Sequence, residues 1–221
     1  MDLKEKTVAI LKQYDVGTRF SYLPNLPKAS VLIPLFVRDG DVHMLMTLRS
    51  LELRTNAGEV CFPGGKRDPS DRNDVDTALR EAEEELGLPA DQVDVVCTLF
   101  PIMNKSGLLV TPVVGFIDAS FSPCPNPAEV SAVFTAPLEF FLKETDHSSY
   151  SSAGMSGLLH SFLFLDPESG SYYQIWGLTA ILAILVSVLA LRKKPEFEIS
   201  FNSDNPESYF QHNLNKIISK L

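Results

Sequence analysis

The chain has 221 residues, 45% of them hydrophobic and 21% charged, the make-up of an ordinary globular protein with one sizeable core. A formal net charge of −9 argues against broad attraction to nucleic acid, so a phosphate-rich ligand would have to be met by a local cluster of cations. Three cysteines, Cys61, Cys97 and Cys124, are odd in number and lack a C-x-x-C spacing. That pattern argues against a disulfide framework and a zinc knuckle and points to reduced, mostly buried thiols.

In chain order, the N-terminal residues carry charge of both signs and no apolar run, so no signal peptide is expected. Val8, Ile10, Leu11 and Tyr14 follow a helical period over residues 3–14, ahead of a loop bearing Pro24 and Pro27. Residues 29–37 read as a strand, Asp39-Gly40-Asp41 as a hairpin turn, and residues 43–49 as the returning strand. A short strand over 59–62 ends at Pro63-Gly64-Gly65, and a polar loop over 66–73 precedes a helix over 74–86 stopped by Gly87 and Pro89. Strands follow over 93–101 and 108–117, then a loop with Pro123, Pro125 and Pro127, a further strand from Val130 to Thr135 and a short helix from Pro137 to Phe141. Residues 144–157, rich in Ser and Gly, read as a flexible loop.

From Ile175 to Leu191 nearly every residue is apolar, and Arg192, Lys193 and Lys194 follow. As a helix this run spans about 25 Å, less than the roughly 30 Å of a hydrocarbon core. It therefore reads as a buried core helix, and no membrane span is expected. Pro195 ends it, residues 196–201 alternate like a half-buried strand, and residues 202–216 are polar. The fold class is α/β. Residues 1–27 form an N-terminal helix and loop, 28–200 the main domain and 201–221 a tail.

The helix over 74–86 carries the chemistry. Val75, Ala78, Leu79, Ala82 and Leu86 share one face, while Glu81, Glu84 and Glu85, at i, i+3 and i+4, converge on another. Each like-charged pair costs about 0.2–0.5 kcal/mol, and a hard cation taking carboxylate oxygens offsets that cost. Alone, such a run reads as a solvated acidic face. Here Gly64 and Gly65 lie upstream, Arg80 directly precedes the acids and Gly87 closes the helix.

Gly64-Gly65, a loop running into a helix, and then Arg80, Glu81, Glu84, Glu85, Gly87 and Leu88 resemble the Nudix box, the signature of hydrolases of nucleoside-diphosphate-linked compounds. The resemblance implies an α/β/α sandwich with a mixed sheet, the box forming a loop–helix–loop. It also implies Mg2+ (or Mn2+) as cofactor, with Glu81, Glu84 and Glu85 as metal ligands or, for Glu84, base. Arg80 would hold these carboxylates in place. The first half of the box departs from the family pattern: Arg72 stands where the family has a Glu, eight residues before Arg80. The nearby acids Asp68, Asp71 and Asp74 do not fit that register.

Thr47, Arg49, Ser50, Arg54, Gly58, Val60, Phe62 and Pro63 resemble the additional signature of the coenzyme A diphosphatases within this family. The segments 126–130 and 175–180 also match that subgroup, and the likeness, closest to its animal peroxisomal members, runs from about residue 28 to 200. It implies cleavage of coenzyme A or acyl-coenzyme A to 3′,5′-ADP and (acyl-)4′-phosphopantetheine. From the residues themselves, Arg49, Arg54, Lys66 and Arg67 supply the local positive charge that a polyanion needs. Gly64 and Gly65 let backbone approach a ligand closely. Arg54 with one of Lys66 or Arg67 is expected to meet the 3′-phosphate, and Glu129, in a proline-bounded loop, to activate water or orient a metal ligand. His43, His147, His160 and His212 show no pairing pattern. Two alternatives stay open: a Nudix diphosphatase of ADP-ribose, NADH or capped RNA, and a coenzyme A binder without turnover. The closing residues Ser219, Lys220 and Leu221 match the peroxisomal address read by an import receptor, with the polar stretch before them keeping it exposed.

Overall fold

Strand β1 (Lys28–Arg38) is the spine of a computed structural model that describes residues 2–20, 23, 26–151 and 157–219. It runs parallel to β7 (Leu109–Phe116) along one edge. Along the other it meets β2 (Asp41–Arg49) antiparallel, through a turn in which Asp39 and Gly40 both have positive φ, 52° and 85°. A hairpin this tight needs such backbone. β1 and β2 stay paired only from Leu35 to Arg38. Beyond that they part, and β3 (Val60–Cys61) on β2 and β4 (Gly64–Lys66) on β1 fill the fork. β8 (Val130–Pro137) covers the outer edge of β2, while β5 (Asp94–Thr98) and β6 (Ile102–Met103) pair with β7. The result is a mixed eight-stranded sheet among the described residues.

Both faces of this sheet are covered, so the alternating residues of β1 are apolar in both directions. Leu32 and Phe36 pack on Ala78, Ala82 and Leu86 of helix α2 (Asp74–Leu86). Ile33 and Leu35 face the other way, into a cluster with Leu11 of α1 (Leu3–Leu11) and the apolar helix α3 (Gly177–Leu191). The architecture is α/β/α. A three-stranded antiparallel sheet of β9 (His147–Ser151), β10 (Leu158–Leu165) and β11 (Tyr172–Trp176) adds Phe162, Phe164, Tyr173 and Ile175 to the α3 side. Enclosed by α1, the turn at Leu138–Leu142 and the small sheet, α3 is apolar all round because it has little solvent face. Among the described residues no helix is long and apolar enough to cross a membrane.

The structure corrects the sequence reading in several places. Part of the expected loop at 144–157 is strand β9, with residues 152–156 outside the described residues. His147 Nε2 and His160 Nδ1 lie 3.0 Å apart, so two histidines without a sequence pattern are a pair. Ile175 and Trp176 end β11, and the helix begins at Gly177, whose φ of 62° breaks the strand. Residues 196–201 form no strand: Phe197 stacks on His147 at 3.6 Å and the Glu196 N–H donates to the Leu142 carbonyl, so side chains alternate in burial without a partner ladder. The polar stretch 202–216 mostly forms helix α4 (Pro206–Ile218), which buries Phe210 and Leu214. Ser219 closes that helix, while Pro24, Lys220 and Leu221 lie outside the described residues. All three cysteines are free, but only Cys97 is buried; Cys61 is half-buried and Cys124 exposed.

Candidate active site

Helix α2 begins where Asn73 accepts the Asp76 N–H at 2.9 Å and ends at Gly87, left-handed with φ 64°. With its apolar face on β1 and β7, its acids turn toward β4 in the fork. Glu85 is 3% exposed and accepts the Gly64 N–H at 3.4 Å. A Cβ on Gly65 would come within 2.5 Å of the Glu81 carboxylate, so the second glycine is the space into which Glu81 fits. The first keeps β4 against β1, since a side chain there would meet the Ser30 carbonyl and Val31.

Arg80 joins these parts. It grips Asp71 in a two-point fork, Nε to Oδ1 at 2.9 Å and Nη2 to Oδ2 at 3.0 Å. Its remaining reach goes to Glu81 at 3.0 Å, Glu84 at 3.1 Å and the Lys66 carbonyl at 3.1 Å. Asp71 is buried, also accepts from the Thr77 hydroxyl at 2.9 Å and the Asp68 N–H at 2.8 Å, and is held well below the usual carboxylate range, chiefly by Arg80. In sequence Asp71 is an acid out of register with the box; its local signal is the Asp68–Asp71 turn just ahead of the helix.

A second loop closes the other side. The Cys124 and Asn126 N–H groups donate to the Leu86 and Glu85 carbonyls at 2.8 and 2.9 Å, satisfying the open C-terminal end of α2. The Asn126 side-chain amide then holds Glu129 at 3.1 Å, and the Glu129 carbonyl accepts the Ser50 N–H at 2.8 Å. Burial, followed by the charges of Glu81 and Glu129, pushes Glu85 up to about 8 against the pull of Gly64 and Arg49. Burial likewise raises Glu81, against Arg80. Glu85 thus sits buried under the influence of two further carboxylate charges that its surroundings only partly offset.

The basic residues divide. Arg49 ends β2 near Glu85, and its Nε is buried with no hydrogen-bond partner. Arg54 and Lys66 are exposed. Arg67 is committed to the fold: Nη2 donates to the carbonyls of Asp71 and Arg72 at 3.3 and 2.8 Å, and Nη1 lies 3.8 Å from Asp74. Arg72, where the family pattern has an acid, is turned to Asp76 at 2.6 Å. Glu84 is exposed and drawn to Arg80 rather than gathered with Glu85 and Glu129. Among the described residues, no three acid, His or Cys side chains stand close enough together to hold a metal as they are posed. Arg80 draws Glu81 and Glu84 to itself.

Residues 26–151 match the family model of the Nudix domain. The peroxisomal coenzyme A diphosphatase NUDT7 of Mus musculus is 45% identical over 203 residues, 91% of this chain and 86% of that protein. Nudix hydrolase 22, chloroplastic, of Arabidopsis thaliana is 46% identical over 174 residues, 77% of this chain but 57% of its own length. Among solved structures, a C. elegans Ap4A hydrolase binary complex aligns with a TM-score of 0.44 at 19% identity, over 52% of this chain and 82% of that one. With more than half of its length inside the domain match and a relative 45% identical over 91% of the chain, the chain belongs to the Nudix hydrolases.

Proposed function

We propose that this Nudix diphosphatase cleaves the diphosphate of coenzyme A and acyl-coenzyme A to 3′,5′-ADP and (acyl-)4′-phosphopantetheine, with Mg2+ or Mn2+. The observation that carries the chemistry is the seating of Glu85 on the Gly64 N–H and of Glu81 against Gly65, with the unpartnered Arg49 Nε near Glu85. The donor set suits such an ion: the side chains are all carboxylate, Gly65 leaves Glu81 room, and Glu85 is kept from ionising by burial and then by the charges of Glu81 and Glu129, both of which a cation would offset. Glu81 and Glu85 would hold it, with Glu84 or Glu129 completing the set. When bound, the ion supplies neutralisation of the diphosphate and acidification of the attacking water.

The chain's own residues do the rest. Arg49 offers its free donor to a phosphate oxygen as charge builds on the leaving side. Glu129, held by Asn126, is the better-placed of the two candidates to take the proton from water, because Glu84 is tied to Arg80. Arg80 touches no substrate: it positions Glu81 and is itself fixed by Asp71. With Arg67 spent on the loop, Arg54 and Lys66 are the pair for the 3′-phosphate. The mouse relative supports coenzyme A over other diphosphates.

The test is metal-dependent hydrolysis of coenzyme A by the purified protein, with ADP-ribose and NADH alongside. Release of 3′,5′-ADP from coenzyme A is the expected result. Preference for the other two would remove the coenzyme A assignment, and binding without turnover would identify a binding protein. Glu85→Gln should lose turnover by a factor of about a thousand or more while staying folded. The mouse relative also supports the peroxisome as compartment, with Ser219, Lys220 and Leu221 meeting the import receptor. A fluorescent fusion stripped of these three residues should stay in the cytosol.

A further inference from the structure

The buried, unpartnered Nε of Arg49 can serve a phosphate only if the guanidinium is aimed, and a long side chain turns about several bonds. The backbone below it is pinned. The Arg49 N–H donates to the Glu59 carbonyl at 3.0 Å, and the Arg49 carbonyl accepts the Gly58 N–H at 3.2 Å. The register of β2 on β8 also slips between Leu48 and Arg49, an irregularity of the kind that re-aims a side chain. At the far end the neighbour is a thiol. Cys61, on β3 and directly opposite Thr47 of β2, lies against Arg49 and Glu85. The buried Thr47 hydroxyl is 3.2 Å from the Cys61 sulfur and 3.2 Å from the Cys61 carbonyl oxygen.

One arrangement of protons satisfies both of these contacts. A carbonyl only accepts and a guanidinium only donates, and an ordinary thiol keeps its proton at neutral pH. The Thr47 O–H therefore goes to the Cys61 carbonyl and the Cys61 S–H to the Thr47 oxygen, which leaves the sulfur lone pairs to face Arg49. Sulfur is a weak acceptor, so it can orient a guanidinium without withholding it from a phosphate oxygen. A carboxylate in its place would keep Arg49 for itself, as Asp71 keeps Arg80.

We propose that Cys61, braced by Thr47, is a positioning residue that aims Arg49 at the leaving side of the diphosphate and releases it to substrate. The proposal rests on the role of Arg49 given above. It touches no reacting atom itself, so its whole effect on turnover must pass through Arg49.

The experiment is a double-mutant cycle on the full chain, reading kcat and KM with coenzyme A, ADP-ribose and NADH each offered alongside Mg2+. Arg49→Ala should lower kcat about a hundredfold or more, the cost of one donor to developing charge. Cys61→Ala should lower kcat about tenfold, the worth of one hydrogen bond to a charged group. KM should stay nearly unchanged, because the contact it serves is made in the transition state. Cys61 is half-buried on a strand of two residues, so this variant should fold with a Tm near the parent. Cys61→Ser, which keeps a donor and an acceptor, should recover most of the loss, and Thr47→Val, which keeps the shape without the hydroxyl, should lower kcat less but in the same direction. In the Arg49→Ala background neither Cys61→Ala nor Thr47→Val should lower the rate further, a coupling that a merely structural role would not give. If the losses multiply instead, or if Cys61→Ala leaves kcat at the parent value, the proposal is overturned. Parent-like turnover by Arg49→Ala would sink the role of Arg49 and the proposal with it. Cleavage of ADP-ribose or NADH in place of coenzyme A would remove the coenzyme A reading alone, since the same cycle run on that substrate still decides the proposal. No turnover of any of the three overturns both.

Discussion

Two adjacent glycines do different work, and the difference is measurable. At Gly65 the atoms a Cβ would displace are the far end of the flexible Glu81 side chain. Gly65→Ala should therefore fold with a Tm close to the parent and lose activity about a hundredfold, the cost of misplacing a reacting group by roughly 1 Å. At Gly64 the obstruction is backbone, the Ser30 carbonyl and Val31 Cα, so Gly64→Ala must open the β4–β1 pairing and should destabilise by about 1–3 kcal/mol in denaturant unfolding. Asp71 is the third residue to test. Asp71→Asn keeps the size of the side chain but removes the charge that Arg80 grips. A stability loss of about 2 kcal/mol at pH 7 is expected, together with lower kcat, since Arg80 no longer positions Glu81. Because the folded Asp71 carboxyl sits below its unfolded value, its contribution is complete above about pH 4 and fades as pH falls further. The difference between parent and variant should shrink on acidification; a constant difference would assign the effect to packing instead.

At the scale of elements, α2 was legible to the residue. Its Gly87 stop and its apolar period are local signals, and the helix spans 74–86 as they indicate. The β1–β2 hairpin was equally plain from Asp39 and Gly40. The small sheet was not, because β9 is polar and exposed along most of its length, and nothing in its alternation marks it. What fixes it is the partner strand β10, with the His147–His160 contact at 3.0 Å between them. Burial, and then His147, pushes His160 down to about 4. A histidine kept neutral in the folded state takes a proton more readily when unfolded. Stability from this pair is therefore full above about pH 6.5 and is lost as pH falls toward 4. Urea midpoints across that range should drop for the parent and show a flatter slope for His160→Gln; parallel slopes would mean that the pair does not couple to folding.

The whole molecule closes around its ends. Helix α4 lays Phe210 on Phe100, 5.9 Å between ring centres, and Leu214 beside Leu23 and Leu109, while Glu207 pairs with Arg19 at 2.6 Å. Ending the chain before Pro206 would expose that surface. Two large apolar side chains returned to water correspond to about 3–5 kcal/mol, so the truncated protein should melt well below the parent in calorimetry. An unchanged Tm would show that α4 merely rests on the surface. The same closure explains α3, whose apolar run resembles a membrane segment until α1 and the small sheet are placed around it.

The sequence by itself determined the chemistry-bearing helix, the glycine pair before it, the family and the α/β class, because each is written in near neighbours: caps, a 3.6-residue period, and acids spaced to share a face. Tertiary structure alone decided which cations are free and which are spent. Arg67 and Arg54 look alike in sequence, yet one is bound to loop carbonyls and the other is exposed. It also decided that Asp71 anchors Arg80 from nine residues away and that the distant loop at Cys124 and Asn126 closes on the end of α2 beside Glu85. Those contacts depend on chain segments far apart in sequence, and local propensity carries no record of which distant partner a side chain will meet.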